Sequence, residues 1–473
     1  MSEFKEKMKS YEIRLNELQR EFKNRKIPMI ISIDGLITAG KGTLINKLGL
    51  AFDARGFNIY ATQKENRDEK YKPFLFRFWE NIPSAGRIKI FEKSWCYALL
   101  EGVIKEKYDK KEKKQILKEI VDFENTLTDS GVVLIKIYMS ISEKEQNKRC
   151  EEIEKESATR WKVEGNERDE WKEYELYSKT MEKIIKKSEG MNSEWKIIDA
   201  DDKNSAISEA FEYIISVMEK KIAAREKKFE VNPYYSGENY IEDLKIEDTM
   251  EEDEYKSEMK KYQEKLRELE HIIYKKRIPV VIVYEGCDAA GKGGNIRRVV
   301  EKLDPRGYEV VPIAAPTEEE KNYHYLWRFW KRFPKAGHIT VFDRSWYGRV
   351  LVERVEGFCD ENEWNRSYDE INRMEKSIYD SGAVIIKFWL QVDKDEQYAR
   401  FKEREIVPYK KWKITEEDWR NREKWHEYII AANTMVEFTS TDYAPWKIIN
   451  CNCKKKARVT AIKEIVKRIE EKL

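Results

Sequence analysis

Residues 280–294 read VVIVYEGCDAAGKGG, and the fold turns on how this stretch is read. Val280 to Tyr284 is a short apolar run rich in Val. Such a run suits a parallel strand buried on both faces. Directly after it comes Gly286-Cys287-Asp288-Ala289-Ala290-Gly291-Lys292, a GxxxxGK pattern. Glycines at these places let backbone N–H groups turn inward around an anion, and the helix that follows adds its dipole. A lysine here reaches terminal phosphates as a point charge. Strand, loop and helix in this order predict a phosphate-binding loop. Gly286, Ala289, Ala290, Gly291, Gly293 and Gly294 form its cradle, Lys292 is its cation, and Arg297 and Arg298 are further phosphate contacts on the helix.

The loop departs from the usual Walker A pattern. A Ser or Thr normally follows the lysine and ligates magnesium; here Gly293 stands there. In exchange, Asp288 sits inside the loop. A carboxylate among phosphates is repelled unless a cation mediates. Asp288 is therefore expected to place magnesium (Mg2+), or to orient the attacking group, in place of the lost hydroxyl.

Outward from the loop, the chain repeats itself. Shifted by 251 residues, Ala39-Gly40-Lys41-Gly42 falls on Ala290-Gly291-Lys292-Gly293, and Arg77-Phe78-Trp79 on Arg328-Phe329-Trp330. Ser94-Trp95 meets Ser345-Trp346, and Trp195-Lys196-Ile197-Ile198 meets Trp446-Lys447-Ile448-Ile449. Around Trp171 and Trp425 the shift is 254. Two copies of one domain are expected, over 1–225 and 261–473, joined by a charged linker over 226–260 that includes the turn-like NPYYSGEN. Each copy alternates strand and helix. In the second, Tyr308–Pro312, Ile339–Phe342, Ala383–Leu390 and Lys447–Asn450 read as further strands. In the first, Met29–Ile33, Asn58–Ala61, Ile88–Phe91, Val132–Met139 and Lys196–Ile198 do. The fold class is α/β, with a parallel sheet covered on both faces in each copy.

The 473 residues carry 91 Lys+Arg against 89 Asp+Glu, a net charge of +2. That balance does not suit a dedicated nucleic-acid binder. No apolar run approaches the roughly 18 residues of a membrane span, and the N-terminus shows no secretory signal. The six cysteines make no CxxC pair, so reduced thiols and a cytoplasmic location are expected, without structural zinc. Nothing identifies a face for pairing subunits, and a homo-oligomer stays open.

A second constellation is Val341-Phe342-Asp343-Arg344-Ser345-Trp346-Tyr347-Gly348-Arg349. An acid at the carboxyl end of a buried strand beside the loop is a Walker B arrangement, which holds magnesium. Arg344 is placed to stabilise charge on a transferring phosphoryl group, and Arg349 to bind phosphate. A third is the basic segment Arg400–Lys424, read as a helical lid with Arg404 and Arg422 as its phosphate contacts. The aromatics Tyr323, Tyr325, Trp327, Phe329 and Trp330 read as core in preference to a base-stacking platform.

Together these motifs resemble the polyphosphate kinase type 2 family. The resemblance rests on EGCDAAGKGG (285–294), FDRSWYGRVLVERVEGF (342–358), WKITEEDWRNREKWHEY (412–428) and TSTDYAPWKII (439–449), and it covers both copies. It implies three-layer α/β/α P-loop kinase domains, a helical lid on each, and magnesium as cofactor. Asp288, Lys292, Asp343, Arg344 and the lid arginines match the family's functional positions, with Asp288 and Asp343 as metal ligands. Many members carry Asn where this chain has Gly348. The tandem arrangement resembles the class that makes ADP from AMP with inorganic polyphosphate. Rival readings are a member acting on ADP or other nucleoside diphosphates, an ATP-dependent nucleotide kinase, and a non-catalytic binding scaffold.

The first copy departs from these motifs. Asp288 becomes Ile37, Asp343 becomes Glu92, Arg344 becomes Lys93, Tyr347 becomes Cys96 and Arg404 becomes Ile153. A lysine cannot reproduce a bidentate guanidinium contact. The first copy is expected to be catalytically degenerate.

Overall fold

The computed structural model describes residues 2–190, 193–224, 236–242 and 249–473. Among these, one five-stranded sheet contains β1 (Met29–Gly35), β2 (Phe57–Ala61), β3 (Ile88–Glu92), β4 (Val133–Ser140) and β5 (Trp195–Asp199), in the order β2-β3-β1-β4-β5. The other contains β6 (Val280–Gly286), β7 (Tyr308–Pro312), β8 (Ile339–Asp343), β9 (Val384–Gln391) and β10 (Trp446–Asn450), in the order β7-β8-β6-β9-β10. The two orders are the same, and every pairing is parallel. All ten strands lie where the sequence predicts them, with ends shifted by two residues or fewer.

The apolar runs become central strands because both their faces are covered. Val280, Val281, Ile282 and Val283 have no exposed surface. Burying each such side chain contributes about 1.5–3 kcal/mol. On one face of the second sheet, the helix Glu252–Lys276 packs against the helix Lys454–Lys472. Leu266, Leu269 and Ile273 of the first meet Ile462, Ile465 and Ile469 of the second over β6. In the first copy, Ser2–Asn24 packs against Lys203–Ala223 in the same way. The helix Glu252–Lys276 begins inside the stretch read as linker, while 226–235 and 243–248 of that stretch, with the first half of NPYYSGEN, lie outside the described residues. Trp327, Phe329 and Trp330 are buried in the core, with Phe329 edge-on to Phe342 and Trp346. No helix among the described residues is long and apolar enough to cross a membrane.

This topology fixes where a ligand binds. β6 is the middle strand; from it the chain goes to the edge strand β7, returns to β8 beside β6, and then crosses to β9 and β10 on the other side. In open parallel sheets, ligands bind beyond the carboxyl ends of the strands at such a switch point. The loop after β6 and the acid at the end of β8 meet there.

Candidate active site

Gly286 closes β6 with φ 143°, and a Cβ on it would meet the Leu390 carbonyl oxygen at 2.2 Å. Only glycine lets the loop leave the sheet this close to β9. Ala289 then adopts φ 61°, the left-handed region that a side chain rarely takes. The helix Lys292–Val300 starts immediately after Gly291, so its free N–H groups face the loop's interior. Lys292 Nζ folds back onto the carbonyls of Gly286 (2.8 Å) and Cys287 (3.3 Å). Arg400, buried at the edge of the loop, braces it. Its guanidinium donates to the Ala289 carbonyl at 2.9 Å, to the Cys451 carbonyl at 2.6 Å and to Glu396 Oε1 at 2.6 Å.

Asp343 ends β8 beside this loop, and Arg344 follows in a left-handed conformation, φ 64°. Strained backbone of this kind survives only where the surroundings over-determine it. Arg344 Nη2 reaches Asp288 Oδ1 at 3.4 Å. Burial alone would lower the Arg344 pKa, but Asp288 and Glu285 outweigh it and hold the group further toward its charged form. Beneath the turn lies a fully buried ion pair, Lys387–Glu375, at 2.8 Å. Glu375 Oε1 accepts from the Tyr347 hydroxyl (2.6 Å) and the Trp346 indole (3.1 Å), while Lys387 also donates to the Thr439 carbonyl (2.7 Å). Ser345 Oγ donates to Glu285 Oε1 at 2.7 Å. These contacts fix the segment that carries Arg344.

Around these groups is a cavity of about 710 Å³. Asp288, Ala289, Ala290, Gly291, Lys292, Gly293, Gly294, Asp343, Arg344 and Arg404 line it together. Arg404 comes from the lid, where it donates to the Lys413 carbonyl at 2.9 Å. The other predicted phosphate contacts stand elsewhere. Arg297 is exposed outside the lining, and Arg298 pairs with Glu301 at 3.8 Å. Arg349 pairs with Glu353 at 3.1 Å and lies over the Tyr325 ring. Arg422 donates to the Lys394 carbonyl at 2.6 Å and to Gln397 Oε1 at 3.2 Å. In their place the lining includes Lys413 from the lid, and Lys454 and Arg458 from the last helix. The run Lys454-Lys455-Lys456-Ala457-Arg458 at the start of that helix was the available signal. For Lys387, the signal was a lysine inside the apolar run of β9, matched by Lys136 in β4.

A smaller cavity, about 100 Å³, opens against the same wall. Gly286, Asp288, Arg344 and Asn421 border it, with Gly348, Val352, Trp389, Trp425 and Tyr428. Burial pushes the Cys287 thiol beside it up to about 12.

The first copy keeps the frame and changes the contents. Thr38 and Lys93 repeat the left-handed backbone, at φ 60° and 59°. Lys41 Nζ sits on the carbonyls of Gly35 (2.6 Å) and Leu36 (3.0 Å). Arg149 repeats Arg400, donating to the Thr38 carbonyl at 3.0 Å and the Ala200 carbonyl at 2.9 Å. Lys136–Glu124 repeats the buried pair at 2.8 Å. The cavity is of similar size, about 720 Å³. Here, however, Glu170 comes from the helix Asn166–Lys172 and is buried. Its Oε1 accepts from the Ile37 N–H at 2.5 Å and its Oε2 from the Tyr97 hydroxyl at 2.5 Å. Tyr97, also buried, occupies the position of Gly348. A carboxylate of the protein thus sits on a loop amide.

The family model described as Polyphosphate kinase 2 (PPK2) matches residues 1–228 and again 249–473. A polyphosphate:AMP phosphotransferase of Pseudomonas aeruginosa PAO1 is 38% identical over 471 residues, covering 96% of this chain and 93% of that protein. Another, from Acinetobacter johnsonii, is 38% identical and covers 93% and 91%. A crystal structure described as a polyphosphate kinase 2 of Pseudomonas aeruginosa PA01 matches with a TM-score of 0.87 at 34% identity, covering 100% of this chain and 96% of that one.

Proposed function

Because the chain belongs to the polyphosphate kinase 2 family, we propose that it transfers a phosphoryl group from inorganic polyphosphate to AMP, yielding ADP. The carrying observation is that Asp288, Lys292, Asp343 and Arg344 line one cavity in the second copy. Polyphosphate lies in the larger cavity, its terminal phosphate held by the loop amides, Lys292 and Arg344. AMP enters from the side of the smaller cavity, where Trp389, Trp425 and Tyr428 are aromatic. An oxygen of the AMP phosphate attacks the terminal phosphorus. The bond from that phosphorus to its bridging oxygen breaks, and the donor leaves one phosphate shorter. The attacking oxygen is already anionic, so no general base is needed. Catalysis is positioning and charge stabilisation.

The residues fit a magnesium ion. Among the described residues no group of three or more His, Cys, Asp or Glu forms a metal cage. Two carboxylates, Asp288 and Asp343, border the cavity beside the loop. Magnesium is commonly held by one or two carboxylates together with substrate phosphates. When bound, the ion would neutralise charge on the phosphates. Asp288 and Asp343 would hold it, and Arg344 would take the charge that it leaves. The first copy lacks the aspartates and the arginine, and serves as a non-catalytic partner. The six free cysteines fit a reducing cytoplasm.

The test is a product assay on the purified chain with magnesium, offering AMP or ADP as acceptor and polyphosphate or ATP as donor. ADP from AMP and polyphosphate is expected. ADP formed from AMP only when ATP is the donor would overturn the reading, and ATP formed in preference from ADP and polyphosphate would change the acceptor.

A further inference from the structure

Asn421 borders both cavities, in the wall that Asp288 and Arg344 also form. It comes from the lid helix Glu416–Glu423. Its Nδ2 donates to Asp288 Oδ2 at 2.8 Å. The carboxylate only accepts, so the amide oxygen faces the other way, toward the Tyr428 hydroxyl at 3.2 Å. That hydroxyl stands 3.4 Å from Glu356 Oε1, and Lys424 holds Glu356 Oε2 at 2.8 Å. The orientation of the amide is therefore set by Asp288 on one side and the Tyr428 hydroxyl on the other. On the backbone side, Gln397 Nε2 donates to the Asp288 carbonyl at 3.2 Å, and Arg422 braces Gln397.

We infer that Asn421 is a positioning residue that latches the lid to the loop carboxylate and aims Asp288 into the wall between donor and acceptor. The inference rests on Asp288 serving the transfer proposed above. A neutral amide suits this task. It orients the carboxylate without setting a second positive charge on it beside Arg344. The first copy also touches this loop position from its lid, through Glu170 on the Ile37 N–H. The lid contact is thus common to both copies, and only the second makes it to a carboxylate.

Asn421→Ala in the full chain tests it, beside Asp288→Ala and the double variant. A hydrogen bond to a charged group predicts a fall in kcat of about tenfold to a hundredfold. KM for polyphosphate should change by less than about threefold, since misaimed groups slow the reacting step. In the Asp288→Ala background, Asn421→Ala should have no further effect. Asn421→Asp, which sets two carboxylates together, should be worse than Ala, while Asn421→Ser, keeping a donor, should recover part of the rate. Hydrogen exchange over 416–428 should rise in Asn421→Ala and in Asp288→Ala, with the thermal midpoint of both near wild type. Asn421→Ala within twofold of wild type, with Asp288→Ala inactive, overturns the latch and leaves the proposed function standing. An active Asp288→Ala overturns both the latch and the role given to Asp288.

Discussion

At the same place in two loops of nearly the same shape stand Ile37 and Asp288. The two copies share strand order, the left-handed turn residues, the folded-back lysine, the arginine brace and the buried ion pair. Among the site positions they differ at Ile37 for Asp288, Glu92 for Asp343, Lys93 for Arg344, Tyr97 for Gly348 and Ile153 for Arg404. Crude charge does not separate them well. The first cavity is lined by five basic and four acidic residues, the second by seven and five. What separates them is how the groups around each loop are paired. In the first copy the Glu170 carboxylate already occupies the Ile37 amide, and Lys93 is drawn to Glu167 (3.6 Å) and Glu101 (3.9 Å). One loop shape thus carries two different sets of groups in a single chain.

The sharpest way to break this contrast is paired substitution. Arg344→Ala should lower kcat by about 10³–10⁵, the range for an arginine acting on a transferring phosphoryl group. Lys93→Ala should leave steady-state turnover within about twofold, as expected away from a working site. If the two losses are equal, both copies are catalytic. Next is the shared frame. Lys387→Met strands a buried Glu375, and Lys136→Met strands Glu124. Each should cost about 3–5 kcal/mol in denaturant unfolding. A large cost in one copy alone would mean that the pairs are not equivalent. The smallest effect concerns pH. Burial pushes the Asp34 carboxyl up to about 6, against the Ser94 hydrogen bonds that lower it. The folded state then holds a proton that the unfolded state, titrating at the ordinary 3.8, has lost. Stability should fall as pH rises from about 4 to about 6 and level off above, by at most about 3 kcal/mol. Asp34→Asn should flatten that slope. An unchanged slope would assign it to other groups, such as Glu285, whose carboxyl burial also raises.

The tandem fold was legible because its signals are local. Apolar runs bounded by turn residues mark strands wherever both sheet faces are covered, and GxxxxGK at a strand end marks the loop. Asp343 was readable for the same reason, as an acid closing a buried run. The lid was harder. A run of cations says that a helix is charged and does not say which way each side chain points. Arg404 enters the cavity lining, whereas Arg422 turns to Lys394 and Gln397. Asn421 gave no signal. Its partner is 133 residues away, and a single amide in a polar helix has no pattern of its own. Glu170 was hidden likewise, since its contact with Ile37 spans 133 residues as well.

The brace formed by Arg400 and Arg149 bears on how loss-of-function data from this chain should be interpreted. Arg400 borders the cavity, so a variant there would register as catalytic in any screen for lost activity. Yet its donors go to the Ala289, Cys451 and Asn452 carbonyls and to Glu396. Arg149 makes the matching set with Thr38, Ala200, Asp201 and Glu145, beside a loop that has lost its aspartate. The chain therefore carries its own built-in control. Damage common to both arginines measures the architecture, and only the excess at Arg400 belongs to the reaction.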